Sequence, residues 1–135
     1  MKIYKSGTIV VANYVTFKGE TKRGIFMIMY DESFDNNVSN CMNVIAIKIT
    51  TQLDMVSGYV INLKNEENTF FKSDCLASCS KIHTLHKNQI VKTIGFLGEK
   101  TYSKVYSKMR HVFNEIDRQM TEGLLWVKNI IYMTS

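Results

Sequence analysis

The chemistry open to this sequence rests on a few polar side chains set among apolar runs. Arg23 follows Lys22 near the end of a polar stretch, KGETKRG at residues 18–24, that reads as a loop between two strands. From a fixed backbone its guanidinium can grip a phosphate through two hydrogen bonds and stabilise charge that builds in a transition state. Taken alone, such an arginine is more often a solvated cation. Thr50, Thr51 and Gln52 end an apolar strand and offer hydroxyl and amide groups, for which β-propensity and a turn hydrogen bond are the plain explanation. Cys75, Cys79, His83 and His86 form C-x3-C-x3-H-x2-H. Thiolate and imidazole suit zinc, but structural sites usually place the second ligand pair on a separate element. If residues 75–82 form a strand, both thiols share one face and are buried, so no metal is expected. Tyr4, Tyr14, Phe17, Tyr59, Phe70 and Phe71 are interleaved with Lys2, Lys5, Lys18, Lys64 and Lys72, a pattern that can pair base stacking with phosphate contacts. Aromatics at strand positions are more often core. A serine-nucleophile motif, a phosphate-binding glycine loop and a dinucleotide fingerprint are missing.

The elements that must position these groups are mainly strands. Residues 8–17 mix β-branched and aromatic side chains after Gly7, and IFMIMY at 25–30 is a continuous apolar run suited to the middle of a sheet. DESFDNNVSN at 31–40 is rich in turn formers and reads as a loop. Strands are expected at 43–51 and 58–63, a turn at 65–68, and further strands at 75–82 and 92–97, which makes a sheet of about six. From Glu99 the period changes. Tyr102, Val105, Tyr106, Met109, Val112, Phe113, Ile116 and Met120 fall on one stripe of a helix over about residues 99–121 that should cover the sheet. Gly123 is expected to stop it, leaving an apolar extension at 123–135 to pack on the body or on another subunit.

With 135 residues and 45% hydrophobic content, the chain reads as one domain with a real core. Lys plus Arg exceed Asp plus Glu by 17 to 12, which favours polyanions such as nucleic acid but also suits an acidic protein. The N-terminal apolar run is interrupted by Asn13 and lacks a small-residue cleavage site, so it does not read as a signal peptide. The run at 123–133 is too short to span a bilayer and carries Lys128. Three cysteines, an odd number, point to reduced thiols and a cytoplasmic location.

Read in order, GTIV at 7–10, the KRG at 22–24 with its apolar run, ITTQ at 49–52, and SKIHTL at 80–85 resemble the PemK/MazF toxins. The resemblance covers roughly residues 6–118 and implies a small SH3-like or barrel-like twisted antiparallel sheet closed by a C-terminal amphipathic helix. It implies a homodimer that cleaves single-stranded RNA as a metal-independent endoribonuclease, neutralised by an antitoxin protein, with no cofactor. It places Arg23 on the scissile phosphate, with Gly24 where the family has proline, and Thr50 on the phosphate or 2′-hydroxyl. Lys18, Lys22, Thr51, Gln52, Ser80 and Lys81 complete the expected RNA contacts. Ser80 stands in the family's acidic position and His83 in that of its arginine, which makes His83 the acid–base candidate. The competing readings are a catalytically weak member that binds nucleic acid or a regulatory protein without cutting, and a protein-interaction module built on the apolar extension.

Overall fold

The computed structural model describes residues 2–34, 41–53 and 59–134, with side chains described as far as Gly123. Residues 35–40 of the expected loop, Gly58 and the side chains of the extension from Leu124 lie outside the described residues. The strands are β1 (Thr8–Val15), β2 (Thr21–Asp31), β3 (Asn43–Thr50), β4 (Val60–Asn62), β5 (Leu76–His86) and β6 (Ile90–Phe96), followed by one helix, α1 (Glu99–Thr134). All neighbours pair antiparallel in the order β4-β5-β3-β2-β1-β6, so the apolar run of β2 is central as expected.

The sheet curls strongly but does not close. Tyr14 on β1 and His83 on β5 are three strand spacings apart, roughly 14 Å on a flat sheet. Their ring centroids nevertheless stand 5.9 Å apart. The turn Lys87–Gln89 joins β5 to β6 although three strands lie between them, which demands the same curl. The result is a half-barrel whose β4 and β6 remain free edges, not the hydrogen-bonded ring that a barrel would need.

The two faces hold separate cores. Ile9, Met27, Ile47, Leu63, Cys79 and Val105 pack between the sheet and α1. Inside the curl lie Val10, Ala12, Phe26, Ile28, Val44, Ala46 and Leu85, joined by Tyr14 and Ile90. Burying these side chains on both faces of the central strands is the main force holding the fold.

Three expectations need correction. β2 begins at Thr21, so Arg23 lies within a strand and pairs with Asn13, not in a loop. The loop is only the turn around Gly19 (φ 83°), where Thr16 N–H donates to the Glu20 carbonyl and Gly19 N–H to the Thr16 carbonyl. The stretch is polar because this end of the hairpin extends into solvent. Second, α1 runs through Gly123 to Thr134. Glycine inside a helix costs about 1 kcal/mol against alanine and ends one only with a positive φ, which Gly123 lacks. Third, α1 covers the sheet only near its start. Val105 is buried, with Tyr102 and Met109 packed beside it, but Tyr106, Phe113, Ile116 and Met120 are exposed. Lys104 and Lys100 pin this first part to Glu66 and Glu67.

A buried ion pair ties the other end of the sheet together. Lys87 Nζ lies 2.9 Å from Asp31 Oδ2, both almost inaccessible. Asp31 also accepts from Tyr4 N–H at 2.8 Å and from the N–H and hydroxyl of Ser33, while Lys87 donates to the Lys2 carbonyl at 2.9 Å. Burial pushes the Asp31 carboxyl up, but the hydrogen bonds from Tyr4, Ser33 and Lys87 outweigh it and hold the group below its usual range.

Candidate functional site: the mouth of the curled face

Strand alternation decides which polar groups meet. On β3, Lys48 and Thr50 continue the inward series Val44 and Ala46. On β1, Tyr14 continues Val10 and Ala12, and on β5, His83 precedes Leu85 on the same face. These side chains converge at the mouth of the half-barrel. His83 packs edge-on against Phe26, with centroids 5.1 Å apart, and against Tyr14. Lys48 Nζ donates to Tyr14 Oη at 2.8 Å, 4.0 Å from the Tyr14 ring centroid and 5.2 Å from that of Phe26. Cation–π attraction and the hydrogen bond both hold the ammonium there.

Gly24 makes this arrangement possible. A Cβ at position 24 would come within 2.5 Å of Lys48 Nζ and 3.0 Å of Tyr14 Cε1. The ammonium thus occupies space that any other residue type would fill. The motifs do not mark Lys48, though a lysine prolonging an inward-facing apolar series is a readable signal, and Tyr14 enters them only through the aromatic–lysine pattern.

Partial burial lowers the His83 pKa, and the positive charges of Lys48 and Lys81 lower it further. The imidazole is therefore held neutral at physiological pH and ready to accept a proton. Between Ile47 and Lys48 the β3–β5 register shifts, and the extra residues on β5 place Ser80 and Lys81, both exposed, beside Lys48.

The remaining expected residues divide. Thr50 lies on the Lys48 side of β3, and its hydroxyl accepts from Gln52 N–H at 3.1 Å. Thr51 and Gln52 are exposed just beyond it, and Lys22 pairs across from Tyr14 on the same face. Arg23 alternates to the other face of β2, that of Ile25, and its Nε donates to Asn13 Oδ1 at 3.3 Å. The structure thus sets Lys22 and Thr50 on the same sheet face as His83, with the Lys81 charge acting on the imidazole, and sets Arg23 on the opposite face of the same strand end. Lys18 sits on the turn beside Phe17, which is 98% exposed and free to meet a base.

The cysteine–histidine set disperses. Cys75 and Cys79 are buried in the helix-side core, where burial pushes the Cys79 thiol up to about 11. His83 faces the other core, and His86 Nδ1 accepts from Asn88 N–H as a turn cap. Among the described residues no three His, Cys, Asp or Glu side chains gather as a metal site, and no helix is long and apolar enough to cross a membrane.

A family model described as "PemK-like, MazF-like toxin of type II toxin-antitoxin system" matches residues 5–113. No curated protein matches the sequence. Among solved structures, an endoribonuclease in complex with its cognate antitoxin from a mycobacterial species superposes with TM-score 0.62 at 12% identity, covering 83% of this chain and 96% of that one. The MazE–MazF structure from Deinococcus radiodurans gives 0.62 at 12% identity, covering 84% and 98%. The Mycobacterium tuberculosis toxin MazF-mt6 gives 0.52 at 16% identity, covering 78% and 96%. At these identities the likeness is one of fold.

Proposed function

The chain belongs to the PemK-like, MazF-like toxins of type II toxin-antitoxin systems, and from that premise we propose that it is an endoribonuclease acting on single-stranded RNA in the cytoplasm and neutralised by a protein antitoxin. The observation that carries the reading is the convergence, within the matched residues, of a neutral imidazole and cations at the mouth of the curled face. In the reaction the 2′-oxygen attacks phosphorus as the bond to the 5′-oxygen breaks, leaving a 2′,3′-cyclic phosphate. His83 takes the 2′-hydroxyl proton, and the departing 5′-oxygen takes one from water. Thr50 contacts the phosphate or the 2′-hydroxyl. Arg23, projecting from the opposite face of the same strand end, holds the RNA backbone where it crosses the hairpin edge, and Lys18, Lys22 and Lys81 hold it on either side.

The test is cleavage of sequence-diverse single-stranded RNA followed on denaturing gels. Wild type is expected to cut. Arg23→Ala should weaken RNA binding and slow cutting, as loss of a cation that holds the backbone does. Its fold should survive, because Arg23 is exposed. Arg23→Lys should restore only part, since an ammonium cannot make the bidentate contact. Thr50→Val removes the hydroxyl at nearly constant shape and should slow cutting with little change in circular dichroism. Cutting that survives Arg23→Ala unchanged removes that residue from the site. The second reading, a binder that does not cut, draws on Ser80, exposed where the family resemblance puts an acid. It gains if wild type binds RNA with a salt-dependent affinity yet leaves it intact.

The exposed stripe Tyr106, Phe113, Ile116 and Met120 supports a homodimer. Sedimentation at concentrations on the order of tens of micromolar is expected to show a dimer, and a monomer there would remove this assignment.

A further inference from the structure

We propose that Lys48, seated in the space Gly24 leaves open over Tyr14 and Phe26, is a catalytic residue whose ammonium contacts the scissile phosphate beside His83. The inference rests on the endoribonuclease reading and adds to it the cation that faces the proton acceptor. Arg23 projects from the opposite face of β2, so it is not the positive charge next to His83. Lys48 is: it shares the two aromatic rings that His83 packs against, and it is partly buried at the mouth.

Three features argue for a working position, not an accident of packing. Among the described residues the Lys48 ammonium has no carboxylate partner; it meets the Tyr14 hydroxyl and two ring faces. A cation held by neutral groups keeps its charge uncompensated and available to an anion. The pocket that receives it depends on a missing Cβ at Gly24, and the displaced atom would be the ammonium itself. Finally, its neighbour is an imidazole. The groups facing His83 are Tyr14 from β1, Phe26 from β2, Lys48 from β3 and Lys81 from its own strand. The same lysine therefore favours the neutral base and attracts the phosphate that the base must serve. When the 2′-oxygen attacks, charge builds on the non-bridging phosphate oxygens, and a preorganised ammonium in a partly desolvated site stabilises it.

Lys48→Met, Lys48→Arg and Gly24→Ala are the variants. For Lys48→Met, kcat/KM for RNA cleavage should fall about a hundredfold or more. Binding of an uncleavable 2′-deoxy-substituted oligonucleotide should lose close to one phosphate contact from its salt slope. The His83 imidazole resonance should titrate at higher pH than in wild type, a change that a merely structural lysine at a distance would not cause. Lys48→Arg should restore part of the rate. Gly24→Ala should displace the ammonium without removing its charge, slowing cleavage while the fold persists by circular dichroism, because the nearest obstructing atom is the end of a flexible side chain and the Tyr14 ring at 3.0 Å need give only a few tenths of an ångström. Lys48→Met that cuts as fast as wild type, or that leaves the salt slope unchanged, overturns the role of Lys48 while the endoribonuclease reading stands. Wild type that cuts no RNA overturns both.

Discussion

His83→Ala is expected to slow RNA cleavage by about a hundredfold to ten-thousandfold, the range a positioned general base contributes. Among the described residues the imidazole is the one group at the mouth of the half-barrel of a type that exchanges a proton near neutral pH. Its partial burial against Phe26 and Tyr14, then the charges of Lys48 and Lys81, hold its pKa below 6.5. A base must be deprotonated to work, so the rate should be flat at neutral pH and fall on acidification, with the midpoint on the acid side of an ordinary histidine. His83→Gln, which keeps a polar side chain of similar reach but cannot take the proton, should be equally slow and should lose this acidic limb. Added imidazole should recover part of the His83→Ala rate, because truncation leaves space beside the two rings. A pH–rate profile identical in wild type and His83→Gln would assign the proton transfer to another group.

The largest expected effect on stability comes from the opposite end of the molecule. Asp31→Asn or Lys87→Met should cost about 3–5 kcal/mol, since each leaves an uncompensated charge or an unpaired donor in a site sealed from water. Asp31 receives three hydrogen bonds, from the Tyr4 N–H and the Ser33 N–H and hydroxyl, and the Lys87 charge. The double variant Asp31→Asn with Lys87→Met should be less damaging than the sum of the two, which a denaturant-melt double-mutant cycle would reveal. Asp31 also sets an acid limit. Its folded-state pKa lies below the unfolded value of about 3.9. The stability it contributes is therefore present above that value and lost as pH falls through the folded pKa. Acid melts of wild type should steepen below about pH 4, and Asp31→Asn should lack that component. Additive single effects, or a variant as stable as wild type, would show the pair to be unimportant.

Much of the fold was readable because β3 and the core of β2 are β-branched or apolar throughout, and because the helical period from Glu99 is regular. The misreadings have physical causes. Thr21 to Gly24 carries no apolar face, so nothing in its composition marks it as strand. Gly123 is compatible with a helix when its backbone stays in the right-handed region. The stripe through Phe113, Ile116 and Met120 shows amphipathicity, but periodicity cannot say whether the covering surface belongs to the same chain. At the site, His83 and Thr50 were legible by type and place, while Lys48 depended on alternation across a strand and on a glycine from the neighbouring one. The Asp31–Lys87 pair had no local signal, because one partner ends β2 and the other opens the turn after β5, far apart in sequence.

The pairing of β6 with β1 has a consequence for the order in which the molecule assembles. Val10 meets Thr93, and Gly7 meets Leu97 through the Leu97 N–H to Gly7 carbonyl bond. A chain emerging from the ribosome can zip β1 to β2 and β2 to β3 early, as neighbours in sequence. The strand that completes the sheet arrives only after about two thirds of the chain, and its closure carries the entropy of a long loop. Folding is therefore finished late, and a truncated product ending before β6 would leave the edge of β1 bare, a surface disposed to pair with other chains.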